Sequence, residues 1–245
     1  MKRLFPVFLT LVLITLSLSA CSGKSTKYVI ATDATWIPFE YVDDQSNIVG
    51  FDIDLMNAIA AEAGIEIEFQ NVEWGALLAG MAAGTYDAAI SSITITEERA
   101  KSMLFSDPYY VAGQMIVVEK DNTTITGANS LKGKTIGAQL GTTGDTYAKE
   151  EVEGATPKSY NSIGLAFADL MNGQIDAVIC DTPIAEGYVN TNPNALKLVG
   201  SSLTSESYGI AVAKGKNDLL NKINAGLAKV KAAGKIEELV QKWLT

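Results

Sequence analysis

The chain has 245 residues, 47% hydrophobic and 19% charged, with 19 Lys+Arg against 28 Asp+Glu and a formal net charge of −9. That length holds one large or two modest domains with buried cores, and the acidic balance argues against a nucleic-acid binder, which carries a basic stripe. The sequence has no histidine and two cysteines, which removes Ser-His-Asp and Cys-His catalysis, His-ligated metal sites and Cys-rich clusters; no cofactor or metal is expected.

Lys2 and Arg3 precede an almost wholly apolar run from Leu4 to Leu18, interrupted by Pro6. The run is too short for a transmembrane helix and has the form of a signal-peptide core. It ends Leu18-Ser19-Ala20-Cys21, which resembles the lipobox of bacterial lipoproteins. That resemblance implies cleavage after residue 20 and lipid attachment at Cys21; the alternative is ordinary secretory cleavage. Acyl chains contribute about 0.8 kcal/mol per buried CH₂, so several on one residue would hold a domain at a membrane. Residues 21–27 are small, polar and basic, as suits a tether. Loss of residues 1–20 would leave 17 basic against 28 acidic residues. Cys180 would then be the only thiol, and buried and inert because no histidine activates it.

Beyond the tether, apolar strands alternate with helices. Tyr28–Ala31 is a strand. Phe51 to Ala63 places Ile53, Met56, Ile59, Ala60 and Ala63 on one helical face, with Gly64 as its stop. Ile65–Phe69 alternates as a strand, Trp74, Leu77, Leu78 and Met81 mark a helix ending near Gly84, and Ala88–Ile90 is a buried strand. Thr96 is suited to cap a helix carrying Glu97 and Glu98 in its first turn. Tyr109–Val118 is a long extended run. The pattern then restarts: strand Lys134–Ala138 before Gly141-Thr-Thr-Gly144 and a helix; helix Ile163–Met171; strand Ala177–Cys180 before Asp181-Thr-Pro183 and another helix. Leu196–Val199 and Tyr208–Ala213 are strands, and two amphipathic helices, Asn217–Ala233 and Lys235–Leu244, close the chain. Two rounds of β/α alternation imply an α/β protein with two open sheets. Ligands bind such sheets beyond the carboxyl ends of strands, so the informative loops are 32–41, 91–96, 139–144 and 181–183.

In these loops Arg99, with free N–H groups near Ser92 and Thr94, would form a carboxylate receptor; equally, it could be a surface arginine paired with Glu97 or Glu98. Asp181 could cap the following helix or face a cleft opposite Arg99 and take an ammonium group. Trp36 and Trp74 could be core residues or stacking walls for a cationic side chain, with Asp33 completing the pocket; Asp33 could also be a turn residue. Gly141-Thr-Thr-Gly144 has the makings of an anion site, whereas Ala128 stands where a phosphate-binding P-loop before Gly133-Lys134-Thr135 needs glycine.

Together the stretches Ala31–Glu40, Gly50–Leu55, Ser91–Arg99, Phe105–Tyr110, Leu131–Gly137, Gln139–Thr143, Asp176–Asp181, Tyr208–Ile210 and Lys242-Trp243 resemble, in order, the family 3 periplasmic solute-binding proteins of amino-acid ABC transporters. The resemblance implies two lobes joined by two hinge strands, lobe 1 from 28–111 and 211–245 and lobe 2 from 115–206. It implies that Arg99 takes a ligand α-carboxylate with backbone N–H groups at Thr94 and Thr143. It further implies that the Ser92 carbonyl and the Asp181 carboxylate take the α-ammonium, that Trp36 and Trp74 stack on the side chain, and that Asp33 and Gln139 read its polar end. Ser91 and Thr142, within matched stretches, join the expected ligand set.

Family members that bind glutamine often carry lysine where this chain has Gln139. Without that cation, Asp33 between two tryptophans favours a guanidinium or ammonium, so arginine or a related basic amino acid is the expected ligand, with glutamine the alternative. The expected partners are a membrane ABC permease and the free amino acid, and the expected state is a lipid-anchored, extracytoplasmic monomer. Two other functions share the scaffold: a dehydratase acting on cyclic substrates through a carboxylic acid, and a sensor reporting ligand to a membrane receptor.

Overall fold

A computed structural model describes residues 27–244; the signal-peptide region and Cys21 lie outside the described residues. The first sheet orders its strands Ile67–Asn71, Tyr28–Thr32, Ala88–Ala89, Ala211–Ala213 and Met103–Phe105. The first three run parallel, and Ala211–Ala213 enters antiparallel to both of its neighbours. The second sheet repeats the plan with Thr156–Tyr160, Thr135–Gln139, Ala177–Asp181, Gln114–Glu119 and Leu196–Val199, where Gln114–Glu119 is the antiparallel insertion. The chain passes between the sheets along two crossing strands, Tyr110–Ala112 and Glu206–Tyr208, paired antiparallel with Tyr208 opposite Tyr110. A three-stranded meander, Thr35–Trp36, Glu40–Val42 and Ile48–Val49, rises from the loop after the first strand.

The helices follow the apolar spacing. Phe51–Ala63 buries Ile53, Leu55, Met56 and Ile59 and ends on Gly64 in the left-handed conformation. It packs on Asn217–Ala232, where a methyl added to Gly226 would lie 2.6 Å from the Ile59 carbonyl oxygen, so glycine sets how closely the helices approach. Trp74–Ala83 begins on Glu73, whose carboxylate accepts from the Gly75 and Ala76 amides. One buried cluster spans both sheets, joining Ile30 and Leu55 on one side to Val117 and Phe167 on the other. Between them lie the rings of Phe39, Tyr110 and Tyr208, with centroids 5.1 to 5.7 Å apart, so aromatic packing firms the crossing strands.

Several boundaries differ from the sequence expectations. The extended run 109–118 breaks at Gly113 into a crossing strand and a core strand, and 208–213 breaks likewise after Tyr208. Thr156–Tyr160 was not expected: it is an edge strand, mostly exposed and containing Pro157, and lacks the alternation that marks a half-buried strand.

Candidate functional site

Four groups converge between the sheets, each from the carboxyl end of a parallel strand. Asp33 follows Tyr28–Thr32, the segment Ser91–Thr94 follows Ala88–Ala89, Gln139 ends Thr135–Gln139, and Asp181 ends Ala177–Asp181. The open edge of a parallel sheet places such residues over its crevice, and here two crevices face each other.

Gln139 spans the gap. Its Oε1 accepts from Trp36 Nε1 at 2.6 Å, and its Nε2 donates to Asp33 Oδ2 at 2.9 Å and to the Asn161 carbonyl at 3.1 Å. Asp33 also accepts from Thr35 Oγ1 at 3.0 Å. It therefore has hydrogen-bond partners, all of them neutral. Burial raises its pKa above the ordinary carboxylate value, against the lowering effect of the Gln139 and Thr35 bonds.

Arg99 lies in a four-residue helix, Glu97–Ala100, whose amide at Arg99 is capped by Thr96 Oγ1. Its guanidinium does not pair with Glu97 or Glu98. It turns inward, donating to the Thr94 carbonyl at 2.8 Å and, from the other sheet, to the Gly141 carbonyl at 3.1 Å, while its carbon stands 5.2 Å from the Trp74 ring centroid. Burial lowers its pKa, and the nearby carboxylates of Asp181 and Glu206 oppose that shift. Thr94 forms an isolated bridge with Tyr208 in which Ile93 and Ile95 make the ladder bonds. The N–H and C=O of Thr94 itself consequently point out of the ladder.

Asp181 has no capping bond to its helix. Its carboxylate accepts from Gln114 Nε2 at 2.8 Å and from Tyr208 OH at 2.5 Å. Burial, reinforced by the neighbouring charge of Glu206, pushes its pKa up to about 6. The cap reading of Asp181 and the surface reading of Arg99 both fall on this geometry. Thr143 opens the helix Thr143–Glu150, and its hydroxyl donates to Glu206 Oε2 at 2.8 Å.

Two expected residues have their hydroxyls committed to the frame. Thr142 Oγ1 donates to the Gln139 carbonyl and caps the Asp145 amide, and Ser91 Oγ accepts from the Asp33 amide and donates to Glu40 Oε1. Ser92 adopts φ 48, with its amide held by Asp52 Oδ2 at 2.7 Å and its buried hydroxyl without a partner among the described residues. Trp36 and Trp74 are buried with ring centroids 6.3 Å apart.

A cavity of about 830 Å³ opens on the Arg99 side, lined by residues that include Leu78, Gly141 and Tyr147. Neither Asp33 nor Asp181 lines it. Of the expected ligand-binding residues, Arg99, Thr142 and Thr143 do line it.

A family model described as bacterial extracellular solute-binding proteins, family 3, matches residues 28–245. The chain belongs to that family. As a family 3 solute-binding protein it is extracytoplasmic, and its fold is the two-lobe fold of solved relatives. It is 36% identical over 243 residues to the arginine-binding extracellular protein ArtP of Bacillus subtilis, covering 95% of this chain and 94% of ArtP. It matches the structure of an ancestral arginine-binding protein bound to arginine at a TM-score of 0.85 and 40% identity, over 89% of this chain and 98% of that one. It also matches AncCDT-1, an ancestral amino acid-binding protein described as a precursor of cyclohexadienyl dehydratase, at 0.83 and 36% identity, over 89% and 96% of the two chains.

In this family 3 protein the sequence reading missed Gln114, Tyr208, Glu206, Glu40 and Asp52, all of which touch the site or its frame. Glu40 and Asp52 are both buried, with Tyr109 OH donating to Asp52 Oδ2 at 2.8 Å, while Glu40 Oε2 and Asp52 Oδ1 have no donor among the described residues. Burial and mutual repulsion hold Glu40 well above its ordinary pKa. Glu40 Oε1 accepts from Ser91 Oγ and Asp52 Oδ2 from the Ser92 amide, so the two carboxyls anchor Ser91 and Ser92. Asp52 and Tyr208 both lie in stretches that carry the family resemblance, which was the available signal.

Proposed function

We propose that this protein binds a basic L-amino acid, arginine-like by preference, between two closing lobes and hands it to an ABC permease. One observation carries the preference: Asp33, Asp181 and Glu206 stand against a single guanidinium, Arg99, around one cleft, with no ion-pair partner for any of the three among the described residues. Three carboxylates against one cation leave a formal excess of two negative charges. A ligand with one carboxylate and two cationic groups reduces that excess; glutamine, a net-neutral zwitterion, does not.

In this reading Arg99 turns from the two carbonyls to the ligand carboxylate, joined by the amides of Thr94 and Thr143. Asp181 and the Ser92 carbonyl take the ammonium. Trp36 and Trp74 hold the side chain, whose cationic end reaches Asp33 and Gln139. Ser91 and Thr142 serve the frame. The lobes are 28–111 with 211–245, and 115–206, an assignment supported by the membership of the two sheets. Closure removes water and strengthens each charged contact.

Residues 1–20 act as the signal peptide, Cys21 carries the lipid, 21–27 form the tether, and the protein works as a monomer. It binds its ligand without transforming it; incubation with prephenate or arogenate should yield no product.

A thermal-shift screen of the twenty amino acids tests the reading. A ligand at 100 times its Kd stabilises by about 2.7 kcal/mol, so L-arginine should raise the midpoint most. A rise with L-glutamine alone would overturn the preference for a basic ligand, and no rise with any amino acid would overturn the function.

A further inference from the structure

Glu206 lies on a crossing strand two residues before Tyr208, so the two side chains share a face of that strand. Its carboxylate touches three parts of the molecule. Oε2 accepts from Thr94 Oγ1, beside the first sheet, and from Thr143 Oγ1, beside the second, both at 2.8 Å. Oε1 accepts from Thr204 Oγ1 at 2.7 Å. Thr143 Oγ1 also accepts from Gln114 Nε2 at 3.0 Å, and the same Nε2 donates to Asp181 Oδ1. Asp181 and Glu206 are thus joined through Gln114 and Thr143 and flank one corner of the cleft.

Every donor to this pair is neutral: three threonine hydroxyls on Glu206, an amide and a phenol on Asp181. The nearest cation, Arg99, gives its hydrogen bonds to backbone carbonyls. Two neighbouring carboxylates with neutral donors repel each other, and an ammonium with three N–H donors and a positive charge relieves both. A guanidinium side chain cannot fill this role if it is already at Asp33, whose partners lie around Gln139 and Trp36.

We propose that Glu206 is a second receptor for the ligand's α-ammonium, shared with Asp181, so that the site recognises the amino group through two carboxylates. The proposal rests on the amino-acid reading above and goes beyond it, because a residue that only braces the crossing strands would be indifferent to whether the ligand carries an ammonium.

The test compares ligand pairs that differ only in that group: L-arginine with 5-guanidinopentanoate, and L-glutamine with 4-carbamoylbutanoate, each titrated by calorimetry into the full chain and into E206Q. In E206Q the amino acid is expected to weaken by about tenfold or more, the scale of one lost charge-assisted contact, while its deamino partner changes by less than about threefold. The preference for the amino acid therefore shrinks. An equal loss for both members of a pair, or no loss for either, overturns the proposal while leaving the amino-acid reading intact. Failure of the unaltered protein to bind either amino acid overturns both. Should E206Q not fold, E206D keeps the charge but shortens its reach, and it should narrow the same preference; an unchanged preference in a folded E206D counts against the proposal.

Discussion

Gln139 Nε2 lies 2.9 Å from Asp33 Oδ2, although the two residues come from different sheets. The amide satisfies the carboxylate as a hydrogen-bond acceptor and leaves its charge in place. The sequence reading expected Asp33 to lack a cation, and its side-chain partners here, Gln139 and Thr35, are neutral.

Replacing Gln139 with lysine supplies that cation. The Q139K variant should lose at least about tenfold in affinity for L-arginine, because an ammonium at Asp33 competes with the ligand's own cation. L-glutamine should be affected far less. Parallel calorimetric titrations of both amino acids check this, and an unchanged arginine affinity would remove Asp33 from the side-chain pocket.

The Arg99 guanidinium faces the cleft carboxylates Asp181 and Glu206. Arg99→Ala should cost about 3–5 kcal/mol of binding free energy, since a buried ligand carboxylate would be left unpaired. Arg99→Lys should recover only part of this, because a point charge replaces a planar fork. Dissociation constants for both variants provide the comparison.

Asp181 gives a pH dependence with a defined sign. Its pKa in the folded protein is about 6, above the ordinary 3.8. The carboxyl therefore keeps its proton in the folded protein at pH values where the unfolded chain has lost it. Without added amino acid, this group's contribution favours the fold at acid pH and is lost as pH rises through about 4 to 6. Ammonium binding needs the ionised form, so affinity should rise about tenfold between pH 5 and pH 7. Asp181→Asn should weaken binding and flatten that rise, as read by titrations across the range.

Gly226 offers a control away from the cleft. Gly226→Ala pushes a methyl against the Ile59 carbonyl at the contact of two helices. It should lower stability by about 1–3 kcal/mol, the usual cost of overpacking, with ligand affinity unchanged. Denaturant unfolding and one titration suffice.

The repeated β/α plan was legible because its core helices and strands carry their periods openly; Phe51–Ala63 ends where the spacing and Gly64 place its end. Thr156–Tyr160 was not legible because an exposed edge strand needs no apolar alternation. The small meander was missed because its strands are two or three residues long and pair only with each other. At the site, the loops after the strands were identifiable from topology alone. The choice between cap and cleft for Asp181 was not, since it is made by Tyr208 and Gln114, 27 and 67 positions away. Glu206 was hidden for a similar reason: its partners Thr94 and Thr143 are distant in sequence. Only its two-residue spacing from Tyr208 hinted that it faces the same crevice.

The central claim is that one small zwitterion bridges Arg99 and Asp181 as the lobes shut. A crystal structure of the protein grown with L-arginine tests this most directly. The expected result places the α-carboxylate on the Arg99 guanidinium, the α-ammonium on Asp181, and the side chain running between Trp36 and Trp74 toward Asp33. Arginine bound elsewhere, with Arg99 still on the Thr94 and Gly141 carbonyls and Asp181 held only by Gln114 and Tyr208, would contradict it.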